Sequence, residues 1–271
     1  MPDTLSGPDA AVTPTIDTLL ARRGARRFGT PGNVDRAETR RALSLRLWKS
    51  WGLFFPLRRH LDDQRPTDPR LRGSRPFRPR GDAQRRLVEH LRNTGYIEEQ
   101  DPGFWRMVAD PDRQTYLSGG WLEELGLLAV RAAGADEAVF AQRIEWTVGN
   151  HVGFNEIDVL ARKGDVLSVM SCKTADPVYR PDREHQREQF RHFLLEADYW
   201  DQHFAAGEGR AVLLVSTDLF DERAHAWRCP TLAARARVLD TDLIGTDHDR
   251  WEDLVAALRA HWDEVPATVG A

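Results

Sequence analysis

Residues 154–174 read FNEIDVLARKGDVLSVMSCKT, two apolar runs joined by a Lys163-Gly164-Asp165 turn, which is the pattern of a β-hairpin. Successive side chains of a strand point to opposite faces, so pairing these runs lets Asp158 and Lys173 converge near the edge of a sheet. Ile157, Val159, Val166, Leu167, Val169 and Met170 supply the core around them. A cross-strand ion pair on a solvated face is one outcome of that pairing. In so apolar a setting the same two groups also suit another use: an oxygen ligand for a hard divalent cation, with an ammonium group to orient or polarise water.

Upstream, residues 118–134 read SGGWLEELGLLAVRAAG, with Leu122, Leu125, Leu128, Ala129 and Ala132 at helical spacing after a Gly-Gly start. Glu123 or Glu124, in the first turn, can reach the hairpin site. The alternative use of both is as solvated acids that favour the positive end of the helix macrodipole, and it holds for at least one of them.

With helix, hairpin, acid and lysine in this order, residues 118–216 resemble the PD-(D/E)xK nuclease superfamily. Its core runs helix, three strands, helix, strand. The segments GGWLEE, NEIDVL and CKT look most like the nuclease domain of CRISPR-associated ancillary effectors, in which a CARF sensor of cyclic oligoadenylate precedes the nuclease. The resemblance implies metal-dependent cleavage of DNA or RNA, commonly by a homodimer, in antiviral defence. It implies Asp158 as central metal ligand, Glu123 as accessory ligand and Lys173 as the water-positioning cation, with Mg²⁺ or Mn²⁺ as cofactor.

Two departures accompany the match. Where the family pattern has Glu two residues before the lysine, this chain has Ser171, whose hydroxyl carries no charge to neutralise a cation. Some restriction endonucleases of the superfamily pair Ser-x-Lys with a glutamate from the following helix. Here DREHQREQF offers Glu184 and Glu188, and Glu188 is the better placed by spacing; the other reading makes both solvated members of a charged amphipathic helix. Glu156 is expected on the opposite side of its strand from Asp158. The second departure is that the first hundred residues show no parallel-strand series of the CARF kind. No direct cyclic oligoadenylate site is expected in this chain, and a sensor would be a separate polypeptide or domain.

The charge is uneven. Residues 21–80 hold 17 Lys+Arg against 5 Asp+Glu, a net of +12 in a chain of net charge −4. Such an arm suits a phosphate backbone, with Arg75, Arg78 and Arg80 of its Pro/Arg-rich end and Asn155 beside the site as candidate contacts. Its rival use is to pair with the acidic body or stabilise a dimer. Two cysteines, Cys172 and Cys229, indicate neither a disulfide framework nor a zinc cluster. No stretch approaches a membrane span, so the cytoplasm is the expected location and no membrane partner is expected.

The expected architecture is α/β: a restriction-endonuclease-like αβββαβ core at 118–271 behind a mainly helical, partly disordered N-terminal region. Within that region, 1–80 is a basic arm with one amphipathic helix ending near Gly52, its first 33 residues mobile. Residues 81–117 form a winged-helix-like or helix-hairpin connector. Strands are expected at 209–217 and 235–240, and a helix at 250–262 with Trp251, Leu254, Leu258 and His261 on one face. The expected function is a divalent-metal-dependent endonuclease acting on DNA or RNA. The alternative is a catalytically degenerate nuclease fold that binds nucleic acid or assists assembly, for which Ser171 is the best sequence support.

Overall fold

The computed structural model describes residues 13–63, 76–205 and 211–264. A short helix α1 (Ile16–Ala21), capped by the Thr15 side chain, is followed by strand β1 (Ala25–Phe28) and helices α2 (Val34–Lys49) and α3 (Trp51–Asp63). Helix α4 (Gly81–Asn93) leads into the antiparallel hairpin β2 (Ile97–Asp101) and β3 (Phe104–Met107), then α5 (Pro111–Thr115). After a kinked turn at Tyr116–Gly120 come α6 (Trp121–Ala132) and strands β4 (Glu137–Val148), β5 (His151–Lys163) and β6 (Val166–Lys173). The chain continues through α7 (Glu184–Phe204), β7 (Ala211–Val215), the small hairpin β8 (Phe220–Asp221) and β9 (Ala226–Trp227), α8 (Pro230–Val238), β10 (Thr241–Ile244) and α9 (Trp251–Glu264).

Six strands make one mixed sheet in the order β1-β4-β5-β6-β7-β10, antiparallel from β1 to β6 and parallel from β6 to β10. Helices α2, α3, α6 and α9 cover one face, and α1, α7 and α8 the other. All five residues of β7 are buried, as a central parallel strand covered on both faces requires. Helix α6 lies close on the sheet because Gly126 has no side chain: a Cβ there would stand 2.8 Å from Met170 Sδ and 3.3 Å from Cys172 Sγ. Among the described residues no helix is long and apolar enough to cross a membrane.

The N-terminal region is more ordered than its composition suggests. Residues 1–12 lie outside the described residues, but Ile16, Leu19 and Leu20 are buried against the sheet, and β1 pairs with β4 from Ala25↔Trp146 to Phe28↔Arg143. A six-residue helix and a four-residue strand are too short to show a period, and their burial comes from β4 and α7, far along the chain. The amphipathic helix α2 ends at Lys49 with its cap at Ser50, close to the expected Gly52, but a second helix, not expected, restarts at Trp51 and runs through Pro56 to Asp63. A proline inside a helix costs about 3 kcal/mol. Burial of Trp51, Phe54, Leu57 and Leu61 at roughly 1.5–3 kcal/mol each outweighs it.

Several arm arginines are used inside the molecule. Arg27 pairs with Asp17, Arg26 with Glu145 and Arg36 with Asp112, while Arg40 pairs with Asp112 and Glu124 over the Tyr116 ring. Arg78 and Arg80 are exposed, and Arg75 lies outside the described residues. Residues 235–238, expected as strand, are the end of α8, which Pro230 starts and whose Leu232, Ala233 and Ala236 face the core; the strand is β10.

At the far side, His261 of α9 bonds Ser168 of β6 at 2.9 Å and Asp242 of β10 at 2.6 Å. The connectivity is that of a hydrolase triad, but Ser168 and His261 are 3% and 2% exposed, out of reach of a substrate. The network ties α9 to two strands.

Candidate functional site

The site forms where β5 and β6 part. Their ladder ends at Val159↔Met170, and beyond it the Cys172 N–H donates to Asp158 Oδ2 at 2.7 Å instead of to a strand carbonyl. The alternation of β5 breaks at the same point. Val159 packs beneath α6 with Phe140 and Met170, whereas Ile157 packs on the opposite face with Ile144 and Leu160. Residues two apart share a face in a regular strand. In β4, Ala141 stands level with Asp158 at φ 47, and the pairs Phe140↔Val159 and Gln142↔Ile157 pass on either side of it. An alanine in the left-handed region costs on the order of 1 kcal/mol or more.

Lys173 Nζ lies 3.8 Å from Asp158 Oδ2 and 3.1 Å from Glu196 Oε1 of α7. Asp158 and Lys173 side chains are 22% and 21% exposed, so their attraction is only partly screened by solvent. Burial favours the neutral lysine, but Asp158 and Glu196 outweigh it and raise its pKa, keeping the ammonium charged. Burial raises the Asp158 pKa against the opposing pull of Lys173 and the Cys172 N–H.

Glu123 enters from the first turn of α6. Its carboxyl is pushed up to about 8, chiefly by burial, then by the Asp158 and Glu156 charges, with Lys173 opposing. Glu156 also bears on the site electrostatically, which corrects the expectation that it faces away from Asp158: the two are two residues apart, and such residues share a face of a strand. Its side chain is half exposed and 3.7 Å from Arg143. Glu124 is the structural acid of the pair: 4% exposed, it bonds Arg40 of α2 at 3.0 Å.

The structure thus brings together Asp158, Lys173 and Glu123 and adds Glu196. It does not bring Glu188, which is exposed and pairs with Arg191 at 2.5 Å, nor Glu184, which is exposed at the start of α7. The buried stripe of α7 runs through Gln186, Phe190, Leu194, Ala197 and Phe204. At 3.6 residues per turn Glu188 falls nearly opposite that stripe and Glu196 on its shoulder, a distinction readable in the sequence once the stripe is traced to the helix end. Ser171 is buried at 5% exposure opposite Leu213. Asn155 is half-buried beside the exposed Phe154. Cys172 packs under Gly126, its thiol pKa raised by burial.

Asp158, Glu123, Glu196 and Glu156 set more negative charge around the site than one lysine balances, and hard oxygen donors of this kind fit a divalent cation. Among the described residues no three acidic, histidine or cysteine side chains stand close enough to hold one without moving. The fit is in donor type and charge.

No family model and no curated protein matches the sequence. Solved structures similar to it include two that cover most of the chain. Protein VC1899 from Vibrio cholerae aligns with TM-score 0.63 and 18% identity over 92% of this chain and 61% of its own. Can2 from Sulfobacillus thermosulfidooxidans, in complex with cyclic tetra-adenylate, aligns with TM-score 0.59 and 16% identity over 91% of this chain and 60% of its own. The chain spans about three fifths of the length of either protein, and the likeness is one of fold.

Proposed function

We propose that the chain is a divalent-metal-dependent nuclease of the PD-(D/E)xK kind, hydrolysing phosphodiester bonds in DNA or RNA. The observation that carries this reading is Lys173 Nζ held between Asp158 and Glu196 at the parting of β5 and β6, with Glu123 over the same opening. The run α6, β4, β5, β6, α7, β7 supports a restriction-endonuclease-like core. Asp158, Glu123 and Glu196 would hold Mg²⁺ or Mn²⁺, Glu196 taking the part that Ser171 leaves open. The bound ion would lower the pKa of water and offset charge on the phosphate. Lys173, charged through its two carboxylate neighbours, orients the attacking water and stabilises the negative charge that develops on phosphorus-bound oxygen. Asp158, anchored by the Cys172 N–H, fixes the lysine.

The motif resemblance, together with the fold shared with Can2, a protein solved with bound cyclic tetra-adenylate, supports a role in antiviral defence. A homodimer is part of the proposal, checked by light scattering, and activation is assigned to a signal bound outside this chain. The test is cleavage of single-stranded DNA, RNA and plasmid with Mg²⁺ or Mn²⁺ by the wild type and by Lys173→Ala. We expect cleavage lost by about a hundredfold or more in the variant. Equal cleavage by both proteins would remove Lys173 from the chemistry.

A second reading has its own support: the uncharged, buried Ser171 and the absence, among the described residues, of a ready-made cation cluster favour a degenerate nuclease fold that binds nucleic acid. It predicts salt-sensitive retention of nucleic acid without turnover.

A further inference from the structure

A second cluster of polar groups lies on the outer side of α7, away from Lys173. A cavity of about 200 Å³ is lined there by Arg187 and Arg191 of α7, Arg235 of α8, Tyr179, Thr231 and Cys229. Its volume is roughly that of several water molecules, enough for a tetrahedral oxyanion. Arg191 is paired with Glu188, which also lines the cavity. Arg187 donates to the Pro181 carbonyl at 2.5 Å, and neither it nor Arg235 has a carboxylate partner among the described residues. The cavity therefore carries an excess of about two positive charges, on a body that is net −16 outside residues 21–80. Guanidinium groups are weakly hydrated forks that match phosphate oxygens, and hydroxyls at the wall supply further donors.

We propose that this cavity is a phosphate-binding site, taking a phosphoryl oxyanion between Arg187 and Arg235 with Thr231 and Tyr179 as hydroxyl partners. The positive end of the nine-residue α8, which begins at Pro230, adds to the same field. Cys229 lines the cavity, 7% exposed, its Sγ 3.2 Å from Thr231 Oγ1. Burial raises its pKa, but hydrogen bonds from Thr231, Tyr179 and the adjacent N–H groups outweigh burial, and the net direction is down. The thiol is thus a built-in reporter of what fills the cavity. Glu188 at this cavity and Glu196 at Lys173 lie eight residues apart on α7, about 12 Å along the helix, so the two sites are separate; a phosphate of a nucleic-acid strand and a free or terminal phosphate present the same oxygens to the arginines.

The rate of Cys229 alkylation by iodoacetamide, followed by peptide mass spectrometry with an added cysteine-containing peptide as internal reference, tests the site on the full chain. Inorganic phosphate at about ten times its dissociation constant leaves about a tenth of the sites open, so the rate falls about tenfold. Sodium chloride at matched ionic strength leaves the rate nearly unchanged. Arg187→Gln and Arg235→Gln each remove most of the protection, and Arg235→Lys retains part of it. A 5′-phosphorylated oligonucleotide that protects when its unphosphorylated counterpart does not assigns the site to a terminal phosphate; protection by both assigns it to an internal one; protection by inorganic phosphate alone assigns it to the free ion. Each of these supports the proposal. Equal slowing by phosphate and chloride, or protection that persists in the Arg187→Gln/Arg235→Gln double variant, overturns it. Lys173→Ala keeps the protection, so loss of the nuclease reading and loss of this one are separable.

Discussion

Glu123 is the residue for which the candidate site makes a stability prediction against intuition: replacing a buried acid with its amide should stabilise the protein, by an amount that grows as pH rises from 4.5 to about 8. Its carboxyl moves from an ordinary 4.5 to about 8 on folding, because α6 buries it beside Asp158 and Glu156. Between those values the folded chain holds a proton that the unfolded chain has lost, so stability falls as pH rises through 4.5 to about 8 and then levels. At about 1.36 kcal/mol per pH unit the ceiling is roughly 5 kcal/mol. Relaxation and water entry bring the expected gain for Glu123→Gln at pH 9 to about 2 kcal/mol, or roughly 5 °C in Tm. At pH 5 the two proteins should differ by less than about 0.5 kcal/mol. Thermal melts of both from pH 5 to 9, without added metal, check it. Parallel profiles would refute the claim that uncompensated negative charge gathers at the parting of β5 and β6. If Glu123 also takes part in holding a cation, Mn²⁺ should raise the wild-type Tm most above pH 8, where no proton must be displaced, and raise that of the amide variant less.

Glu196→Gln should lower metal-dependent cleavage by tenfold or more and bring down the Lys173 pKa, while Glu188→Gln stays within about threefold, a contrast read in one plasmid assay. Gly126→Val should cost about 3 kcal/mol in urea unfolding, since its first carbon already meets Met170 Sδ and Cys172 Sγ. His261→Ala, removing both bonds that tie α9 to β6 and β10, should cost about 2–4 kcal/mol without altering cleavage per folded molecule.

The sequence by itself determined the elements whose periods are long and whose partners are near. The apolar face of α6 and the Leu254-Leu258-His261 face of α9 were legible because burial on one side imposes a repeat on the residues, and the hairpin of β5 and β6 and the strand β7 because sheet burial leaves apolar runs bounded by turns. The approach of Asp158 to Lys173 was legible for the same reason. Only the tertiary structure decided which acids join them. Glu123 rather than Glu124 faces the site because α2 brings Arg40 to take Glu124. The buried stripe of α7 separates Glu196 from Glu188 in the sequence, but it is the packing of α7 on β6 and β7 that carries Glu196 to Lys173. The pairing of β1 with β4 and the arginines spent on distant partners arise from contacts between residues far apart in the chain, 84 for Arg40 and Glu124 and 119 for Arg26 and Glu145. A local repeat records that a residue is buried; it carries no record of the side chain that meets it there.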